Sequence, residues 1–214
     1  WTDWPLAQYR RSTGHDISQT EFEQRVLNDD AFAAQWGDLG PIYGKQWRRW
    51  QGADGRVHDQ IASLVETLKH NPASRRMLFH AWNVAELDQM ALPPCHMVYQ
   101  FHVTSDGRLN CGLYQRSCDL LLGAAFNFTG AAALQLMLAQ QADLRPGELV
   151  WMGGDVHLYL NHLDQAREQI SRDPRPFPTM RLLRKPADID SYRIEDFQVE
   201  GYMPHGPIKA DVAV

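Results

Sequence analysis

Cysteine is scarce in this chain: 214 residues hold three, Cys95, Cys111 and Cys118. Their odd number and the lack of any CxxC pair argue against a disulfide framework and against a zinc site, so no metal is expected. A reducing, cytoplasmic setting is the default expectation. No run of about 18 apolar residues occurs, so nothing reads as a membrane-spanning helix. No basic stretch followed by an apolar one opens the sequence, so no signal peptide is expected. Positive charge is not in excess. Lys and Arg number 21 against 26 Asp and Glu, a net charge of −5. No overall field draws in nucleic acid or anionic lipid, and an anion must be held by local arginines. Repeats and low-complexity tracts are missing too. What remains, 44% hydrophobic and 22% charged residues, is ordinary globular composition with enough chain for a full core. The first residue is Trp1 rather than Met, which fits the tail of a longer protein.

Residues 1–36 are polar and mixed, with one helix expected near Gln19–Asp30. Gly37-Asp38-Leu39-Gly40-Pro41 reads as a loop. Val57, Ile61, Leu64, Val65 and Leu68 recur at helical spacing, and Asn71-Pro72 ends that helix. Met77–Trp82 reads as a short buried strand. Met97–Val103 and Leu109–Tyr114 read as strands joined by the Thr104-Ser105-Asp106-Gly107 turn, an antiparallel hairpin. Ala124–Ala142 reads as a helix buried on most faces. Leu149–Met152 and Val156–Leu160 read as two strands around Gly153-Gly154, followed by an amphipathic helix over Asn161–Ile170 and late strands at Thr179–Arg184 and Phe197–Tyr202. The expected fold is one α+β domain over 1–214, with its sheet covered by helices.

Five groups of residues could carry chemistry. Pro93-Pro94 fixes the backbone ahead of Cys95-His96. Cys95 is a nucleophile if cations lie near it, and otherwise a small buried hydrophobe. Arg75-Arg76 is either a solvated pair or part of an anion clamp that needs a third arginine, for which Arg116 is the candidate. Arg116, Ser117 and Asp119 gather a cation, a hydroxyl and a carboxylate at a strand end. Asn127 is a lone amide in an apolar stretch; it either caps the next helix or pairs with the edge of a ring such as a pyrimidine. Asp155, His157 and Tyr159 share one face of a strand after two glycines. Together these fit a small phosphorylated substrate with a hydrogen-bonding ring, and spacing alone goes no further.

The motifs Trp1-Thr2-Asp3-Trp4, Gly37 to Trp47, Ala81-Trp82-Asn83, Met90 to His96, Leu113 to Asp119, Phe126-Asn127, Gly153 to Tyr159, Asn161-His162 and Ile208-Lys209-Ala210 occur in that order. In this the chain resembles folate-dependent thymidylate synthases along nearly its whole length. The resemblance implies the fold of that family, a large, mostly antiparallel or mixed sheet covered by helices. It also implies a homodimer whose two sites are each built from both subunits. The implied reaction takes dUMP and 5,10-methylenetetrahydrofolate to dTMP and dihydrofolate. By the same resemblance Cys95 attacks uracil C6, and Arg116 and Ser117 bind phosphate, Arg116 also keeping Cys95 as thiolate. Arg75 and Arg76 reach that phosphate from the other subunit. Asn127 reads the O4 and N3 edge of uracil, while His157 and Tyr159 bind the deoxyribose. Asp119 holds the pterin. Trp1, Trp4, Leu122, Gly123 and Phe126 line the folate pocket, Ala213 closes it, and Tyr43 assists proton removal at C5.

This sequence departs from the family pattern at several points. The family begins well upstream of Trp1, with an arginine loop and a glutamate that have no counterpart among these residues. Its usual Leu-Pro-Phe-Asn reads Ala124-Ala125-Phe126-Asn127, expected to loosen a loop beside the pterin. Its usual proline before the last three residues is Asp211, expected to affect closure of the C-terminal lid, and His80 stands where serine is common. Two other readings compete. One is a dUMP hydroxymethylase of the same fold, in which water completes the reaction. The other is a non-catalytic homologue binding nucleotide or RNA, against which the net charge of −5 speaks.

Overall fold

A computed structural model describes residues 2–213. They divide into two compact units, residues 2–59 with Ala81–Pro94, and Gln60–His80 with 95–213.

The first unit begins with three short helices. α1 (Asp3–Thr13) ends on Gly14 at φ 72°, a left-handed turn that glycine adopts without strain. Ser18 Oγ accepts the Glu21 amide to start α2 (Gln19–Asn28), and Asp29 Oδ1 accepts the Phe32 amide to start α3 (Asp30–Trp36). Their apolar faces meet in a cluster of Leu6, Tyr9, Phe22 and Phe32, with Ile17, Val26 and Trp36 packed against it. Ring centroids there lie 5.3–6.0 Å apart. The polar stretch expected to hold one helix is therefore a three-helix module with its own aromatic core. α4 (Tyr43–Arg48) and the strands β1 (Trp50–Gln51) and β2 (Val57–His58) complete the ordered elements here. Buried Gln46 donates through Nε2 to Pro41 O (2.7 Å) and Glu86 Oε2 (2.6 Å), and Asn83 also donates to Glu86 (2.9 Å), joining the two stretches of this unit.

The second unit is built on a four-stranded sheet in the order β3 (Leu78–His80), β4 (His96–Val103), β5 (Arg108–Asp119), β6 (Arg145–His157). α5 (Gln60–His70) buries Ile61, Leu64, Val65 and Leu68, and its Gln60 side chain bonds both main-chain groups of His80. β3, β4 and β5 pair antiparallel, with the Thr104–Gly107 turn as expected. β5 and β6 pair parallel, which requires a crossover. α6 (Ala124–Gln141) is that crossover; its Gln135 donates to Leu109 O (2.7 Å) and Glu148 O (3.1 Å), bracing the two strands where their register shifts.

β6 is one strand of 13 residues rather than the two expected around Gly153-Gly154. The glycines carry the strand through a tight place: a Cβ on Gly154 would lie 2.8 Å from Arg116 O. The sheet is thus mixed, and the architecture is α+β. A 3-10 turn (Leu160–His162), α7 (Leu163–Ile170) and the β7 (Thr179–Leu182)–β8 (Phe197–Glu200) hairpin follow. Among the described residues no helix is long and apolar enough to cross a membrane.

Candidate active site

Cys95 sits one residue before β4, after buried Pro94. Its carbonyl accepts the Arg116 amide at 2.9 Å, and Arg116 Nη2 lies 3.9 Å from its sulfur. A guanidinium so placed is suited to a sulfur that has to carry negative charge. The other two thiols differ. Burial pushes Cys111 up to about 12, and burial, Asp119 and Cys95 raise Cys118. Both are 1% exposed, whereas Cys95 is partly open.

The parallel register sets Ser117 beside Asp155 and Asp119 beside His157. Asp155 Oδ1 lies 3.2 Å from His157 Nδ1, and the His157 and Tyr159 rings meet edge to face at 5.0 Å. Asp119 Oδ1 accepts the amides of Leu121 (3.0 Å) and Leu122 (3.2 Å); Oδ2 bonds to nothing among the described residues. The Asp119 carbonyl takes the Gly123 amide, and the Gly123 carbonyl takes that of Asn127, each at 3.0 Å. Strand end and helix start are so close that a Cβ on Gly123 would lie 3.0 Å from Asp119 O.

Asn127 is not a helix cap. Gly123 holds that position, and Asn127 lies within the first turns of α6. The segment 124–127, expected as a loosened loop, is helix as well, with Ala124 buried. The Asn127 amide is oriented by Gln115, itself 1% exposed: Gln115 Nε2 donates to Asn127 Oδ1 (2.7 Å) and to Ser117 O (2.9 Å), while its Oε1 accepts from Trp151 Nε1 (3.0 Å). Asn127 also reaches His96, whose imidazole is held below its ordinary range chiefly by burial, with Asn127 opposing. The Gln115, Trp151 and His96 roles went unseen in the sequence, whereas Asp155 was read there together with His157 and Tyr159. The available signal was a glutamine in phase with the inward apolar positions Leu109, Cys111 and Leu113, where a buried amide must have partners.

Phe126, 81% exposed, borders a largely apolar groove of about 790 Å³ with Phe128, Phe177, Met180 and Tyr202. Leu122 and Gly123 lie on the turn from Asp119 to α6. Ala213 ends the described C-terminal segment, Trp4 and Tyr43 lie in the first unit, on α1 and at the start of α4, and Trp1 lies outside the described residues. Arg75 and Arg76 are exposed just ahead of β3 and make no side-chain ion pair among the described residues. Leu78 pairs with Gln100, so Arg76 falls near His102 at the far end of β4 from Cys95. At about 3.4 Å per residue that is roughly 24 Å, so they do not join Arg116 within one chain. Among the described residues no group of three His, Cys, Asp or Glu could hold a metal.

A cysteine facing an arginine, with a clamped amide, a carboxylate and a histidine–tyrosine pair in the same unit, is an arrangement suited to an enzyme of the covalent-nucleophile class. The thymidylate synthase family model matches residues 1–214. The chain is 77% identical to the thymidylate synthase of Rhodopseudomonas palustris, 76% to that of Cereibacter sphaeroides and 66% to that of Zymomonas mobilis; each match covers all of this chain and 72% of the relative. The chain belongs to the thymidylate synthase family and is a methyltransferase of that family. Neither the hydroxymethylase nor the non-catalytic reading gains support from these matches.

Proposed function

We propose that this chain, as a single domain over 1–214 of a cytoplasmic homodimer, converts dUMP and 5,10-methylenetetrahydrofolate to dTMP and dihydrofolate through a Cys95 adduct at uracil C6. The observation that carries this is the double contact of Arg116 with Cys95, at its carbonyl and at its sulfur. The sulfur adds to C6, and the C5–C6 electron pair moves toward C5 and O4. Asn127 fits that edge. Gln115 occupies one lone pair of its Oδ1, leaving the other for N3–H and the amide hydrogens for O4. Carbon C5 then takes the one-carbon unit, and Tyr43 assists loss of its proton. Elimination of sulfur, with a hydride delivered to the exocyclic carbon, regenerates Cys95. The folate supplies both the carbon unit and that hydride.

Asp119 Oδ2 is open to accept from the pterin, with Phe126, Leu122 and Gly123 lining the folate pocket and Ala213 closing it; the family resemblance alone assigns Trp1 and Trp4 to that pocket. Ser117 and Arg116 take the phosphate, and His157 and Tyr159 the deoxyribose hydroxyl. The homodimer reading rests on two features. Arg75 and Arg76 lie at the wrong end of β4 for their own chain's site. The sheet face turned from α6 also exposes Tyr114 (40%), Val150 (50%) and Met152 (51%), apolar surface suited to a second copy. Product analysis by mass tests the reaction: dTMP with dihydrofolate supports it, and hydroxymethyl-dUMP with tetrahydrofolate overturns it.

A further inference from the structure

The C-terminal segment 203–213 contains neither helix nor strand. It is strapped down instead by side chains of residues 161–175 that capture its carbonyls. Arg175 donates to Met203 O (2.8 Å) and Pro204 O (3.1 Å), Arg172 to Gly206 O (2.6 Å), and Gln165 to Lys209 O (3.4 Å). The last anchor is at Asp211, two residues before Ala213. Its carbonyl faces His162 Nε2 at 2.7 Å and Asn161 Nδ2 at 3.4 Å. A carbonyl only accepts, so the imidazole donates from Nε2.

His162 differs from the other anchors. It is 0% exposed, and its Nδ1 has no hydrogen-bond partner among the described residues. The ring is therefore set by one hydrogen bond and by packing. The packing partner is Tyr159, whose ring meets it nearly perpendicular (78°) at 5.8 Å, and Tyr159 in turn meets His157 edge to face at 5.0 Å. One chain of contacts thus runs from His157 through Tyr159 and His162 to the Asp211 carbonyl.

We propose that His162 is a positioning residue that couples the nucleotide to the strap: deoxyribose bound at His157 and Tyr159 fixes the Tyr159 ring, which fixes His162 and holds the segment carrying Ala213 in its docked place. This rests on the assignment of His157 and Tyr159 to the sugar and of Ala213 to the folate pocket. A ligand can stabilise a docked segment only through contacts that differ between docked and undocked states, and the ring contact supplies such a difference.

The test is amide exchange over 203–213 in the full-length chain, with and without dUMP, together with steady-state kinetics. In the unaltered protein, dUMP slows exchange across the strap by about tenfold. His162→Asn, whose amide cannot reach the Nε2 position, abolishes that response. It also raises KM for the folate by about tenfold while the dUMP dissociation constant stays within about twofold. His162→Gln, whose amide nitrogen does reach it but which offers Tyr159 no ring, restores the KM for the folate and not the response to dUMP. A strap that dUMP leaves unchanged in the unaltered protein overturns the coupling whatever the variants do, and so does an undiminished response in His162→Asn. His157→Ala separates the two layers. Unchanged dUMP affinity sinks the sugar assignment itself; weakened affinity, together with a strap in the unaltered protein that dUMP leaves unchanged, sinks only the coupling.

Discussion

The centre around Cys95 and the strap at 203–213 are held by opposite means. At the centre, strand register and a nearly inaccessible glutamine fix each reacting group, so Asn127 is oriented before any substrate arrives. In the strap, no ladder or helix holds the backbone; mostly long, partly exposed side chains reach across to single carbonyls. Interior amide networks cost much to disturb, because each buried group left unpaired is penalised. Exposed anchors are individually weak and release easily. The first arrangement suits covalent chemistry, which demands fixed geometry, and the second suits a segment that has to release and dock again.

The comparison can be broken at its rigid end first. Cys95→Ser is expected to lower kcat by about three orders of magnitude or more while dUMP still binds, as measured by turnover and by calorimetry. Gln115→Leu leaves Trp151 Nε1 and Asn127 Oδ1 without their partner. It should cost on the order of 3 kcal/mol in denaturant melts and lower kcat/KM for dUMP by about tenfold or more. A variant as stable and as active as the parent would show that the centre is not preorganised by that amide.

His96 sharpens the contrast by pH. Burial holds its imidazole below the ordinary range, so the unfolded chain takes up the proton first as pH falls. Its stabilising contribution is present above about pH 6.5 and is lost as the medium becomes more acid. Melting temperatures at about pH 7.5 and about pH 5.5 should therefore fall further apart for the parent than for His96→Gln. Equal shifts would remove His96 from the rigid network. The smallest effect belongs to the strap. Asp211 contributes its carbonyl to the latch, and no side-chain bond of Asp211 occurs among the described residues. Asp211→Ala should leave KM for the folate within about twofold. A larger rise would mean that the carboxylate itself docks the strap.

Much of this was legible in the residues, where one local signal decides. The Thr104–Gly107 turn announced the β4–β5 hairpin, and the apolar run 124–142 announced α6. Cys95, Arg116 and Asn127 were readable as candidates, and family resemblance gave them roles. What escaped depends on packing across sequence distance. The α1–α3 core joins Leu6, Tyr9, Phe22 and Phe32, four residues with no common spacing in the sequence. The continuity of β6 through two glycines depends on its pairing with β5, whose Arg116 carbonyl leaves no room for a Cβ at Gly154. Gln115 has meaning only once α6 has brought Asn127, twelve residues on, back over it. At Asp211 the structure adds a contact that the residue type does not announce: a peptide oxygen, which every residue supplies.

The unequal burial of the three sulfurs has an analytical use. Cys111 and Cys118 are enclosed and remain protonated, while Cys95 is reachable and faces a guanidinium. An alkylating reagent applied to the native chain then finds one handle, and the stoichiometry of labelling reports on that handle alone. Protection of that single label by a nucleotide would map occupancy at the reacting atom without altering a residue.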